Sequence, residues 1–367
     1  MSFKKVLDQR VPQRILSGAL KNNLLASAYL FYGDRGTGKW AMALELAKAI
    51  NCEKSQGEAC DTCTSCLKIG KMIHPDVKMI FPVPSSKSDE KNQEETERFR
   101  RLKSENPYAI VKFDKNVNIP VEQIRAMQRE IALKPFEARR KVVIIAEAEK
   151  MHVSSANSLL KTLEEPPADA HLILTSNDVN KLLPTAVSRC QQIRFSKIPP
   201  KIIEEELMEV HHLDRERASY YANVCNGSYG RALDFLQGEK EGLRQDALNL
   251  LDAATEGGTG RIVQTVNQVL RRWDRNSILE IFEFLISIFR DVRMVMNGSD
   301  RLINSDLAPD VVKLSQKFKR QNTVEEAFLV VEQVRIDCQI RNASQKLALL
   351  RLCLKMKGFW RREAAMS

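Results

Sequence analysis

The chain has 367 residues, and its 57 lysines and arginines exceed its 47 aspartates and glutamates to give a formal charge of +10. With 43% hydrophobic and 28% charged residues it has the composition of a folded globular protein, which excludes wholesale disorder and collagen-like repeats, and its length suggests two or three domains. No apolar run approaches the ~20 residues of a membrane helix, and MSFKKVLDQRVPQ lacks the apolar stretch of a secretory signal, so a cytoplasmic chain without membrane contact is expected. The positive surplus is compatible with a polyanionic partner and decides nothing alone.

In chain order, Tyr29–Tyr32 is a short apolar strand candidate, and Trp40–Ile50 carries apolar residues at helical spacing. Between them lies Gly33-Asp34-Arg35-Gly36-Thr37-Gly38-Lys39-Trp40, in the strand–loop–helix setting of a phosphate-binding loop. Gly33, Gly36 and Gly38 would let backbone N–H groups converge on phosphate, and Lys39 would neutralise it. Trp40, however, stands where a working loop has the Ser or Thr whose hydroxyl binds Mg²⁺.

Cys52, Cys60, Cys63 and Cys66 follow, with two Cys-x-x-Cys units sharing Cys63. Four thiolates suit tetrahedral Zn²⁺, and four soft ligands leave no open position for water, so a structural zinc site is expected. His74 is a weaker alternative ligand; His74-Pro75 reads as a turn leading into a strand at Val77–Phe81. Cys190, Cys225, Cys338 and Cys353 are scattered and read as ordinary reduced thiols.

Residues 84–117 are charged and nearly free of apolar groups, which predicts an exposed insertion, partly helical or disordered. Pro120 opens a helix with Val121, Ile124, Met127 and Ile131 on one face. Val142–Ala146 and His171–Thr175 are runs suited to buried parallel strands. Between them Ser154 or Ser155 could cap a helix carrying Leu159, Leu160 and Leu163, stopped by Pro166 and Pro167. The first of these strands ends in Ala146-Glu147, where a nucleotide hydrolase would have Asp-Glu, the aspartate holding Mg²⁺. This alternation of strands and helices predicts a three-layer α/β domain. After Pro199-Pro200 the strand signals vanish: residues 201–238 suggest a small helical domain, and from about 243 the pattern is helical throughout. Ile278, Ile281, Phe282, Leu285, Ile288, Phe289 and Val292 form a wide apolar stripe, a texture that Val324–Ile340 and Gln345–Met356 repeat.

Several segments together resemble a known family. They are Ala28-Tyr29-Leu30-Phe31 leading into the phosphate loop, the four-cysteine module, His74-Pro75-Asp76, Val121-Glu122-Gln123-Ile124-Arg125 and Lys141-Val142-Val143-Ile144-Ile145. Ala156–Pro167, ending in Leu-Glu-Glu-Pro-Pro, and Ser188-Arg189-Cys190 complete the set, and this last pair is highly specific. The sequence resembles subunits of the bacterial DNA polymerase III clamp loader, members of the AAA+ family, over about residues 1–240, and in texture only around Gln345–Leu354. The resemblance implies an α/β AAA+ (P-loop, RecA-like) domain over residues 1–198, with the zinc module at 52–66 and the charged insertion at 84–117. A helical lid domain at 199–242 and an all-α oligomerisation collar at 243–367 would follow.

The resemblance also implies that Arg189 reaches into a neighbouring subunit's ATP site as an arginine finger; taken alone, Arg189 is a surface or salt-bridge residue. Departures from the hydrolysing relatives are specific. Trp40 and Ala146 remove two magnesium contacts, and Gly227-Ser228-Tyr229-Gly230 has its arginine, Arg231, one place late for a nucleotide sensor. Asn177 falls in the region of a first sensor or is a strand-end turn residue. These departures argue against Mg²⁺ and hydrolysis and leave open whether the loop holds ATP. The expected function is therefore a non-hydrolysing clamp-loader subunit, working with motor (gamma/tau) and delta subunits, indirectly with the sliding clamp, and with primer–template DNA. The alternatives are a hydrolysing gamma/tau-like motor and a zinc-dependent DNA-binding protein.

Overall fold

The computed structural model describes residues 2–55, 57–84, 89–111, 117–236, 241–299, 302–304, 307–318, 320–339 and 343–364. Parts of the 84–117 insertion (85–88 and 112–116), of the 201–238 segment (237–238), and Ile340 of the Val324–Ile340 stripe lie outside them. The chain divides into two compact units, residues 1–203 with 225–234, and residues 204–224 with 235–367.

Among its described residues the first unit has seven strands: β1 (Ala28–Gly33), β2 (Val77–Ile80), β3 (Val83–Pro84), β4 (Val117–Asn118), β5 (Lys141–Ile145), β6 (Ala170–Ser176) and β7 (Gln191–Phe195). Five form one parallel sheet in the order β2-β5-β6-β1-β7. Val142–Ile145 and all of β6 are buried, as near-continuous apolar runs in a sheet covered on both faces must be. The AAA+ expectation of a parallel α/β core followed by a helical region holds. Helix Lys39–Asn51 is buried along its whole length, and helices Val121–Ile131 and Val153–Glu164 join the core through Ile124, Met127, Ile131, Leu159 and Leu163.

Two local expectations need correction. Neither Ser154 nor Ser155 caps the Val153–Glu164 helix; the cap is His152, whose side chain accepts the Ser154 N–H, while the Ser155 hydroxyl donates 2.7 Å to the Ile119 carbonyl. The 84–117 insertion is not merely an exposed charged excursion. Its ends are tied by the antiparallel pair β3–β4, with Pro84 opposite Val117. Its middle is a helix, Asp89–Glu105, that buries Phe99, followed by buried Tyr108 and Val111. These three residues are the apolar groups that a mostly charged segment needs to dock on a core.

Among its described residues the second unit is all helical, with its core built on Arg275–Met296. The stripe Ile278, Ile281, Phe282, Leu285, Ile288, Phe289 and Val292 is completely or almost completely buried. Gln321–Gln339 and Gln345–Ala364 pack into the same cluster through Val331, Val334, Leu349 and Leu352. A polar clasp sits within this apolar setting. The buried Asp291 carboxylate accepts the N–H groups of Ile303 (2.9 Å) and Asn304 (2.7 Å) and the Asn304 amide (2.7 Å). Removing one partner of such a buried set strands the others. Asp291→Ala is therefore expected to destabilise this unit by about 2–4 kcal/mol, read as a lowered urea midpoint; a change below about 0.5 kcal/mol, the usual span of surface substitutions, contradicts the clasp.

Candidate nucleotide site and metal centre

The phosphate loop leaves β1 at the sheet's carboxyl edge, the edge where α/β sheets take ligands. Its lysine is already engaged: Lys39 Nζ donates to the Gly33 carbonyl (2.7 Å) and the Asp34 carbonyl (2.6 Å). Burial lowers its pKa to about 8, against the pull of Glu149, Glu147 and Asp34. Gly36 has φ +74°, and a Cβ there would run into the Ser228 hydroxyl. Ser228 in turn donates 2.7 Å to the Arg35 carbonyl, and the Gly230 N–H donates 3.1 Å to the Gly36 carbonyl. The Gly227–Gly230 stretch thus closes directly on the loop's backbone.

Trp40 is 5% exposed, and its indole packs against Phe81 (centroids 5.5 Å) and edge-on to Phe99 (5.7 Å). Phe81 and Phe99 lie 3.9 Å apart. Where a hydrolase needs a hydroxyl on Mg²⁺, this chain has an aromatic cluster with no oxygen. Ala146, at the end of β5, is buried and offers no ligand. Glu147 adopts φ +49°, and its carboxylate is held by Arg35 (2.7 Å) and Lys150 (2.7 Å), which keep its pKa low despite burial. Asn177 lines a cavity over the phosphate loop together with Trp40, Ala146 and Glu147, and its amide donates 2.9 Å to Glu149.

Sequence reasoning missed Lys103 and Tyr108. Lys103 Nζ lies 5.9 Å from the Trp40 and Phe99 ring centroids and donates 3.2 Å to the Pro107 carbonyl. Tyr108 accepts the Leu7 N–H on its hydroxyl (2.7 Å) and stacks edge-on against Tyr229 (5.0 Å). The only available sequence signal was the few apolar residues spaced through an otherwise charged segment.

Arg189 is at the other edge of the sheet. It stands two residues before β7, whereas Phe195, at the end of β7, is the register partner of Gly33. At about 3.3 Å per residue this separates Arg189 from its own phosphate loop by roughly 15–20 Å. Its guanidinium pairs with Glu164 (2.7 Å) and donates 2.8 Å to the Thr185 carbonyl, with 35% of the side chain exposed.

The four clustered cysteines come together at one point. Their sulfurs all lie within 4.8 Å of one another, none is in a disulfide, and the group could hold a metal ion. A tetrahedral ion with ~2.3 Å bonds to sulfur needs sulfurs a little under 4 Å apart, so the group fits with minor contraction. The Cys63 N–H points at Cys60 Sγ (3.3 Å) and the Cys66 N–H at Cys63 Sγ (3.4 Å), contacts that favour thiolate. The Thr62 hydroxyl and neighbouring N–H groups draw the Cys60 pKa down to about 5, whereas burial raises that of Cys66. Asp61 fastens the module to the long buried helix through Lys48 (2.6 Å) and to Lys5 (2.6 Å). His74 stands apart from the four sulfurs: its Nδ1 accepts the Asp76 N–H (3.1 Å) and its Nε2 faces Glu137 (3.6 Å).

Lys103 gives the site a pH signature. Burial beside Arg35 and Lys39, only partly offset by Glu147 and Asp234, lowers its pKa to about 7 from 10.5. Between those values the unfolded chain binds one more proton than the folded one, so stability rises with pH across about 7–10. Lys39 adds the same sign above about 8. The urea midpoint of Lys103→Met is expected to exceed that of the parent at pH 6 and to lose this advantage by pH 10; parallel pH profiles for the two proteins contradict the assignment.

The family described as DNA polymerase III, delta subunit, matches residues 9–199. A DNA polymerase III subunit delta' from Bacillus subtilis (strain 168) is 27% identical over 337 residues, covering 90% of this chain and 92% of that protein. The DNA polymerase III subunit tau of the same organism is 30% identical over 253 residues; the match takes in 69% of this chain but 37% of the relative's length. Among solved structures, a DNA polymerase III gamma subunit-related protein from Thermotoga maritima aligns at 16% identity and a TM-score of 0.49, over 96% of this chain and 99% of that one. With over half its length matched by the family and a delta' relative alignable almost end to end, the chain belongs to the DNA polymerase III delta subunit family of clamp-loader proteins.

Proposed function

We propose that this chain is a non-hydrolysing, delta'-like subunit of a clamp-loader ring. In this reading it lends Arg189 in trans to a neighbouring ATPase subunit while the sliding clamp is loaded on primed DNA. The observation that carries the reading is the opposition of the two edges of the sheet. Trp40 on the phosphate loop and Ala146 just after β5 stand in place of magnesium ligands. The partly exposed Arg189 lies at the opposite edge, out of reach of that loop and available to another chain. Leaving Glu164 is cheap, because an exposed ion pair contributes about 0–1 kcal/mol. A guanidinium bridging the γ-phosphate in a water-poor interface stabilises developing charge far more. Gamma/tau-type motors and a delta subunit are the proposed ring partners, primer–template DNA the proposed occupant of the ring, and the C-terminal helical residues the collar. The proposed domain limits remain 1–198, 199–242 and 243–367.

Zn²⁺ on Cys52, Cys60, Cys63 and Cys66 would be structural: it would close the 52–66 loop and set the start of the Thr64–Gly70 helix, which Cys63 caps. Four sulfur ligands would leave no position for substrate.

Two measurements test these assignments. In a loader reconstituted with Arg189→Ala, DNA-stimulated ATP hydrolysis at the served site is expected to fall by roughly 10³-fold, the low end for arginine fingers, although this chain hydrolyses nothing itself; unchanged phosphate release would sink the finger role. Native mass spectrometry is expected to find one zinc per chain, and Cys63→Ser to lose it together with the helical signal of residues 64–70 in hydrogen exchange. A metal-free chain with those amides protected would dismiss the zinc site.

A further inference from the structure

The cavity over the phosphate loop measures only ≈ 50 Å³, whereas pockets for nucleotide-sized ligands run to about 300–1,000 Å³. Arg35, Gly36, Lys39 and Trp40 form its floor, and the 84–117 insertion supplies the opposite wall through Phe99, Lys103 and Tyr108–Val111. This wall is anchored at several points. Phe99 closes the Trp40–Phe81 cluster, Tyr108 takes the Leu7 N–H, and Arg35 donates 3.1 Å to the Val111 carbonyl. The Tyr108 carbonyl also abuts Gly230 so closely that a Cβ on that glycine would collide with it.

From this arrangement we infer that residues 89–111 are a built-in cover that occupies the nucleotide position and keeps nucleoside phosphates out, the loop serving as the cover's seat. This goes beyond the absence of hydrolysis. Missing magnesium ligands alone would still permit a chain to hold ADP on Gly36, Gly38 and Lys39. It is also independent of Arg189, which acts at the other edge. The chemistry inside the cover is self-consistent. Lys39 spends its protons on loop carbonyls and Lys103 on Pro107, so neither ammonium needs a phosphate to be hydrogen-bonded. The lowered pKa of Lys103 eases the crowding of cations that an empty site would otherwise suffer.

The β3–β4 pairing makes the idea testable in the full chain. Because Pro84 faces Val117, residues 85–116 can be replaced by an Asn-Gly hairpin turn without moving the sheet. Binding of a fluorescent ADP analogue would be titrated into the intact chain, the excised variant, and a Phe99→Ala/Tyr108→Ala double variant, with and without Mg²⁺. The intact chain is expected to show no saturable binding up to millimolar analogue. At least one opened variant, folded by circular dichroism, is expected to bind at least tenfold more tightly, with new hydrogen-exchange protection over Gly33–Lys39. Micromolar binding by the intact chain would overturn the cover. So would two folded, opened variants that bind no better than the parent.

Discussion

The packing of one indole governs the rest of the first unit. Trp40 takes the place of a metal-binding hydroxyl and turns the mouth of the phosphate loop into an apolar surface, with Phe81 on one side and Phe99 on the other. Burying aromatic surface of this size outweighs a polar contact: each such ring removes some 150–250 Å² from water, at about 25 cal/mol per Å². Once that surface exists, something apolar has to cover it, and the charged insertion keeps Phe99 for that purpose. The loop's glycines lie close against protein, Gly36 against Ser228 and Gly38 against the Tyr108 ring. The loop thereby joins the sheet, the insertion and the Gly227–Gly230 stretch.

The two edges of the parallel sheet accordingly hold different chemistry. At the carboxyl edge the charged groups find their partners inside the chain: Glu147 between Arg35 and Lys150, Lys39 on the carbonyls of its own loop. At the amino edge Arg189 is partly exposed and, among the described residues, held by Glu164 and the Thr185 carbonyl. Parallel topology enforces this division, since every strand starts at one edge and ends at the other. A subunit built this way can give a cation to a neighbour without its own loop competing for it. The cysteine module adds rigidity at one further point, tied through Asp61 to the helix that begins at Lys39.

Much of this was legible in the sequence where one physical signal dominates. The buried strands β5 and β6 are uninterrupted apolar runs, the Ile278–Val292 stripe has helical period, and the cysteine spacing brings four sulfurs to one point. The phosphate loop and both missing magnesium ligands were readable as residue identities. What escaped depends on long-range placement. Residues 89–105 look solvated because charge outnumbers the one ring, Phe99, that docks the helix. Nothing local ties Lys103 to Trp40, or Arg189 to Glu164, 25 positions earlier in the chain. The cap at His152 went to a residue type rarely assigned that role, whereas the neighbouring serines fit the usual preference.

The central claim is a division of labour: this chain's own loop is shut, and its arginine serves another. One structure of the assembled loader, bound to a non-hydrolysable ATP analogue and primed DNA, tests both halves at once. The expected result has the Arg189 guanidinium within about 3 Å of a neighbouring subunit's γ-phosphate, released from Glu164, with Phe99 and Lys103 still seated over an empty Gly33–Lys39 loop. Analogue bound in this chain's own loop, with Arg189 still paired to Glu164, would contradict it.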